Sequence, residues 1–257
     1  MGVWIKKLSR NWNLKKKREW KRNANFWIKI IRENLDPFRL VVTNKAILNS
    51  VPRGKKLKIL DAGCGEGYLS RFLAKKGHYV FGIDSCEKLI KAAQELEKKK
   101  PLGIKYFLGD FRKTNFPSSF FDLILSHQTI NEVPNPKKAI EEFKRILKKS
   151  GKVACLFLHP CFDFLPSDLK NRHFALTYFQ PTEVFKGKYL VSGIFSPHPY
   201  FYLHLPLSKW IKFFTQEGFL ISKIDEPHPP LKFLKRNKWW KENFSKPRFI
   251  LIEAIKV

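Results

Sequence analysis

Apolar and polar positions follow two different rhythms along the 257-residue chain. Up to about residue 50 the apolar residues recur at helical spacing. Trp4, Leu8 and Trp12 fall at i, i+4 and i+8, and Trp20, Phe26, Trp27, Ile30 and Ile31 follow. One face of a helix repeats at these intervals, so basic helices are predicted until Asp36-Pro37 interrupts them. From Leu57 short apolar runs alternate with helical periods. Strands are predicted at 57–60, 79–83, 104–108, 121–125 and 153–158, and helices at 68–76, 87–99 and 137–148. Such alternation requires crossover connections and a parallel sheet covered by helices on both faces.

The rhythm lapses between 159 and 205. Seven phenylalanines and four of the seven histidines fall there without a sustained period. So many aromatics in an irregular stretch predict an ordered insertion rather than a linker. A helix at 208–216 and strands at 219–224 and 249–255 follow, with a Pro- and Lys-rich connection at 227–246. The organisation expected is a basic helical N-terminal cap over 1–55 and an α/β domain over 56–257 that carries an internal lid at 159–205.

Charge alters the picture mainly at the N-terminus. The formal net charge is +28, and residues 1–55 hold +12 of it. A field of that sign attracts polyanions; Lys15, Lys16, Lys17 and Arg18 form its densest run. Of the 50 basic residues 38 are lysine, a bias that A/T-rich coding also produces. With 44% hydrophobic residues, global disorder is excluded. The apolar runs are far shorter than the about 20 residues a bilayer needs, and the first residues lack a signal-peptide core. A soluble, cytoplasmic protein is expected. None of Cys64, Cys86, Cys155 and Cys161 forms a C-x-x-C pair, so free thiols and no metal site are expected.

The most informative stretch is LKILDAGCGEGYLSRFLAKKG at 57–77. A buried strand ends at Asp61, glycines follow at 63, 65 and 67, and a helix begins near Tyr68. Backbone can approach a ligand closely there, at a helix N-terminus. A dinucleotide fingerprint would need glycine at position 68. An acid aimed into the turn would repel a pyrophosphate and suits a ligand with an ammonium or sulfonium group.

On these residues the 57–158 half resembles the class I S-adenosylmethionine-dependent methyltransferases. The resemblance implies a Rossmann-like, seven-stranded, mostly parallel sheet and S-adenosylmethionine as cofactor. It implies that Asp61, Gly63, Cys64, Gly65 and Gly67 cradle the amino-acid end of the cofactor. Asp84, followed by Ser85, would bind the ribose hydroxyls. Asp110 would meet the adenine amino group and Phe111 the purine face, with Ser126 completing the set. Three acids at the carboxyl ends of successive predicted strands stand where open α/β sheets bind ligands. A carboxylate at Asp84 adds no core packing, so its loss is expected to spare folding.

The stretch 121–153 is similar to the small-molecule, type 11-like branch of that family, ending in Arg145-Ile146-Leu147 and Gly151. Ser126-His127-Gln128-Thr129 stands where base-amine methylating enzymes carry Asn/Asp-Pro-Pro-Tyr/Phe, which counts against that chemistry. His159-Pro160-Cys161-Phe162 resembles a bacterial subgroup that bears the same four residues. The resemblance implies methyl transfer to an unidentified small-molecule acceptor by in-line displacement. Two alternatives remain open: an RNA methyltransferase that uses the basic N-terminal segment, and a non-catalytic, cofactor-binding regulatory protein. His127 and His159 are candidates for a base or a substrate-positioning group, and His198 and His204 for substrate contacts.

Overall fold

A computed structural model describes residues 4–7, 12–162, 178–179 and 182–257. The chain opens with β1 (Trp4–Lys7) and the long helix α1 (Trp12–Arg32). A π-helical turn, Arg39–Thr43, runs into α2 (Asn44–Asn49). The alternating half follows as β2 (Lys58–Ala62), α3 (Tyr68–Lys75), β3 (Tyr79–Asp84), α4 (Glu87–Lys99) and β4 (Lys105–Leu108). It continues as β5 (Phe121–His127), α5 (Pro136–Ile146) and β6 (Leu147–Leu158). Beyond it lie β7 (Thr182–Val191), β8 (Ile194–His204), α6 (Leu207–Gln216) and β9 (Phe219–Asp225). Two short helices, α7 (Leu231–Arg236) and α8 (Lys238–Asn243), precede β10 (Phe249–Lys256).

Seven strands form one sheet in the order β4-β3-β2-β5-β6-β10-β9. β2 to β6 pair in parallel, and β10 runs antiparallel to both its neighbours. Side chains on a strand alternate between faces, and in the central strands β2, β5, β6 and β10 both faces are largely buried. Leu60 and Ile124 enter one core cluster with Phe143 and Trp210, while Ile59 and Leu123 enter the other with Leu73 and Ile47. The parallel strands therefore read as continuous apolar runs, and the seven-stranded α/β fold is the one the alternation predicts. All five parallel strands end on the same edge, and the candidate residues collect there.

The N-terminus departs from its predicted helix. Trp4–Lys7 pairs antiparallel with Thr182–Phe185 of β7, which makes a second, three-stranded sheet with β8. A partner some 180 residues away overrides the local period; Leu8 lies outside the described residues. The 159–205 stretch contains the β7–β8 hairpin, turned by Ser192 and Gly193 at φ 47° and 80°. Consecutive positive φ values match the right-handed twist of a hairpin. The 163–177 part of that stretch lies outside the described residues. The 227–246 connection holds α7 and α8, where Asn237 accepts the Trp240 N–H at 3.3 Å. Among the described residues no helix is long and apolar enough to cross a membrane.

Candidate functional site

The turn after β2 is shaped by what surrounds it. Gly63 takes φ +81°, and a Cβ there would run into the Thr129 side chain. Gly67 takes φ +83° and is backed by the Tyr106 hydroxyl. Gly65 differs: at φ +56° nothing lies within 4 Å of where its Cβ would be. Backbone at Gly65 is thus bare on the side that faces a cavity of about 470 Å³. That size suits a small-molecule ligand.

Acids ring this turn. Asp61, 1% exposed, accepts the Ser70 hydroxyl at 2.6 Å. Burial pushes its carboxyl up to about 7 against that hydrogen bond, with the nearby Asp84 adding to the rise. Asp84 accepts the Gly65 N–H at 2.9 Å and the Cys86 N–H at 2.8 Å. Burial raises it as well, and the backbone donors counteract only part of the effect. For Asp110, burial is outweighed by Arg112, which donates from Nη2 at 2.5 Å and from Nε at 2.9 Å and holds the carboxyl below its usual range. Arg112 also donates to the Pro134 carbonyl at 2.7 Å, which ties Asp110 to the loop after β5.

Of the residues singled out from sequence, Asp61, Gly63, Cys64, Gly65, Asp84, Ser85, Asp110, Phe111 and His127 line the cavity. Phe111 is buried against Phe143, with ring centroids 5.8 Å apart. Gly67 stands behind the turn, and the Ser126 Oγ is buried with no hydrogen-bond partner. His127 bonds the Thr43 hydroxyl through Nε2 at 2.9 Å. Burial, helped by the Arg39 charge, lowers its pKa to about 4, so the ring is neutral at pH 7.

The other three histidines do not line the cavity. His159 does follow a strand end, yet its N–H bonds the Arg248 carbonyl and its Nε2 meets Glu226 at 2.9 Å. Its Nδ1 accepts the Cys161 N–H at 3.2 Å, so both ring nitrogens are engaged, one by the turn and one by Glu226. His198 pairs through its backbone with the Asn23 side chain at 3.0 and 3.2 Å, which fastens β8 to α1. His204 is buried, and its Nε2 lies 2.9 Å from the Tyr178 carbonyl.

Sequence reading missed several cavity residues. Arg39 is only 6% exposed; its Nη2 donates to the Ile31 carbonyl at 3.0 Å and its guanidinium lies 4.2 Å from the Tyr68 ring centroid. Its Nε and Nη1 have no partner. A buried cation with unused donors beside a bare glycine turn marks a place for an anion. Lys16 of the basic run is also a cavity residue, 4% exposed, bonded to Glu132 and to Glu19 at 2.9 Å. Burial disfavours its charge, but the two carboxylates more than restore it. Reading it as one of four equivalent surface charges is therefore corrected. The only forewarning of Arg39 was its place just after the Asp36-Pro37 break.

Comparison with known proteins agrees with this geometry. Residues 60–155 match the family model described as a methyltransferase domain. Over 95 residues the chain is 35% identical to a ubiquinone biosynthesis O-methyltransferase of Coxiella burnetii, covering 37% of this chain and 41% of that protein. The chain thus spans about two fifths of the length of the curated relatives it matches. An S-adenosylmethionine dependent methyltransferase from Mesorhizobium loti superposes with a TM-score of 0.66 at 22% identity, over 82% of this chain and 96% of that one. A SAM-dependent methyltransferase from Methanosarcina mazei superposes at 0.61 and 20% identity, over 82% and 97%. At those identities the superpositions speak for the fold.

Proposed function

We propose, from the match of residues 60–155 to a methyltransferase domain, that the chain is a class I S-adenosylmethionine-dependent methyltransferase that moves a methyl group from S-adenosylmethionine to a small-molecule acceptor in the cytoplasm. One observation carries the reading: a buried acid, a bare glycine turn and a buried guanidinium with two unused donors share one end of the cavity. The amino-acid end of the cofactor bears an ammonium and a carboxylate, and it complements that set. In this reading Asp61 and the turn at Gly63, Cys64, Gly65 and Gly67 hold the ammonium side, and Arg39 holds the carboxylate. Asp84 and Ser85 take the ribose hydroxyls, Asp110 the adenine amino group and Phe111 the purine face. The buried Ser126 hydroxyl stands at the end of β5 beside them.

The bound cofactor supplies a methyl group already activated by its sulfonium. The protein then has to hold the acceptor in line and exclude water. His127, neutral and fixed by Thr43, is suited to orienting the acceptor. A ring whose pKa lies near 4 is a poor proton acceptor at neutral pH. His159 acts on the turn that carries Leu158 rather than on the acceptor. Residues 1–55 and the 159–205 insertion serve as the cover of the 56–257 domain, fastened through the Asn23–His198 pairing. The Coxiella relative's name states O-methylation in ubiquinone biosynthesis, which supports a small acceptor here.

A second reading, methylation of RNA, is favoured by one observation: Lys15, Arg18, Lys21 and Arg22 are exposed along α1. Calorimetry with S-adenosylhomocysteine and NAD, then labelled methyl transfer into metabolite and RNA extracts, tests the assignment. Micromolar binding of S-adenosylhomocysteine with label in the small-molecule fraction is expected. Tight NAD binding instead would remove the cofactor assignment, label in RNA would favour the second reading, and binding without turnover would favour a regulatory protein.

A further inference from the structure

The cavity has a second end, built by segments outside the glycine turn. Trp27 of α1, Tyr189 of β7 and Tyr200 of β8 line it, together with Phe38, Leu158 and Phe249. Tyr189 and Tyr200 stack with centroids 3.5 Å apart at 10°, and Trp27 meets Tyr189 edge-on at 4.8 Å. The stacked tyrosines and the edge-on indole make one contiguous aromatic cluster in the cavity lining, with ring faces and ring edges at about right angles. His127, which ends β5, lines the same cavity, and Ser192 of the hairpin donates to the Leu35 carbonyl at 2.6 Å, which brings the β7–β8 hairpin to the segment that carries Phe38. Planar groups pack on such clusters in offset or edge-on contact.

Arg248 stands over this apolar end with no ion-pair partner within 4 Å among the described residues. The Arg248 guanidinium lies 4.7 Å from the Phe38 ring centroid, and Nη1 donates to the neutral Asn243 Oδ1 at 3.3 Å. Lys188, on the hairpin, also lines the cavity and is likewise outside every ion pair described. The acid on this side is Asp36, whose Oδ1 already accepts the Arg39 N–H at 3.1 Å. Burial pushes the Asp36 carboxyl up even though the charges of Arg39 and Arg248 both act on it, which weakens it as a counter-charge to either. A guanidinium in a half-buried apolar setting presents a fork suited to a planar anion.

We infer that this end admits a planar aromatic acceptor carrying an acidic group, with its ring on the Trp27–Tyr189–Tyr200 cluster and its acid on Arg248. The inference rests on the methyltransferase reading for the word acceptor, and on the second end of the cavity for everything else. A carboxylate and a phosphate share this chemistry, so both are tried.

The test titrates 4-hydroxybenzoate, indole-3-carboxylate and phenyl phosphate into the full chain, with 4-hydroxybenzamide, indole-3-carboxamide and phenol as the respective uncharged matches. Each is run with and without S-adenosylhomocysteine. At least one acid should bind about tenfold or more tighter than its uncharged match, the usual effect of a charge-assisted hydrogen bond. Arg248→Gln should bring the two to parity while S-adenosylhomocysteine affinity stays within about twofold, as Arg248 lies outside the proposed cofactor set. Phenyl phosphate binding best would identify a phosphate, and a carboxylate binding best a carboxylic acid. Equal binding of acids and their uncharged matches, no binding of any acid, or a preference that survives Arg248→Gln would each overturn the inference. If that variant fails to fold, the wild type decides: added salt must narrow the acid preference. Failure of S-adenosylhomocysteine to bind would fall on the methyltransferase reading, while the comparison of acids with their uncharged matches without it still decides this one.

Discussion

The Asp84 carboxylate accepts the Gly65 N–H at 2.9 Å, so the acid closing β3 holds the glycine turn that follows β2. Sequence alone treats Asp84 as a ligand contact whose loss spares folding. In the fold it is also a bracket between two turns, since its other oxygen takes the Cys86 N–H. Asp84→Ala should therefore weaken S-adenosylhomocysteine binding by about 1.5–3 kcal/mol and also lower the melting temperature, because two backbone donors lose their acceptor. Calorimetry and thermal melts on the same preparation check both parts. A variant with lowered affinity and an unchanged melting point would return Asp84 to a pure ligand contact.

Asp61 ties stability to pH in an unusual direction. Its folded pKa of about 7 lies above the ordinary value of 3.8. Between those values the folded state binds the proton and the unfolded state releases it, so this group's contribution falls as pH rises from about 4 to 7. The ligand-free protein should lose melting temperature over that range relative to Asp61→Asn, which cannot titrate. A bound ammonium favours the ionised carboxylate, so S-adenosylhomocysteine affinity should rise with pH in the wild type and stay flatter in the variant. Parallel melting curves for the two proteins would show that Asp61 keeps an ordinary pKa.

His127 works in the opposite sense. Its folded pKa of about 4 lies below the ordinary 6.5. Its contribution is present above pH 6.5 and is lost as pH falls toward 4, because the unfolded chain then takes up the proton first. Comparison with His127→Gln should show the wild type losing the extra stability between pH 6.5 and 4. Turnover should show no inflection from this group between pH 6 and 8. An inflection near 6.5–7 that vanishes in His127→Gln would make the ring a titrating base and not an orienting group.

Much of the sheet was legible because its central strands are buried on both faces. Ile59-Leu60 and Val153 to Phe157 read as uninterrupted apolar runs, and Glu87–Lys99 has the same limits in sequence and fold. The turn at 63–67 was legible because its acids and glycines are local in sequence. What failed depends on distant partners. Trp4–Lys7 becomes a strand only because β7 offers it an edge. His127 and His159 both follow strand ends, but the backbone of Arg248 and the carboxylate of Glu226 turn His159 away. Arg39 gains meaning only once the fold buries it and leaves two of its donors unused.

Gly63 and Gly65 should separate fold from ligand. Alanine at Gly63 meets Thr129 and keeps a left-handed backbone, so it should destabilise by about 2 kcal/mol or more, with any loss of affinity following from that. At Gly65 the space is open, and alanine should carry only the left-handed penalty of about 1–2 kcal/mol. Its methyl group, however, stands where a ligand would approach, so S-adenosylhomocysteine affinity should fall more than stability does. Chemical denaturation and calorimetry compare the two directly. Equal affinities for Gly65→Ala and the wild type would place the ligand away from this turn.

The basic face of α1 decides between small-molecule and RNA acceptors, provided the right charges are removed. Lys16 belongs to the buried set with Glu19 and Glu132, and its removal alone should cost about 3–5 kcal/mol by stranding buried carboxylates. A variant that includes it would confuse unfolding with lost binding. Lys15, Arg18, Lys21 and Arg22 are exposed and suit the test. Converting these four to glutamine should leave melting temperature and S-adenosylhomocysteine affinity nearly unchanged, since exposed charges contribute little to stability. Turnover on a small acceptor should stay within about twofold. If RNA were the acceptor, each lost phosphate contact would flatten the salt dependence of RNA binding by about 0.7–0.9 in slope. We expect no such change, because Trp27, Tyr189 and Tyr200 line the same cavity as His127 and residues 126–129 lack the base-amine motif. A steep salt slope for tRNA that collapses in the quadruple variant, with labelled methyl found in that RNA, would reverse the assignment of the acceptor.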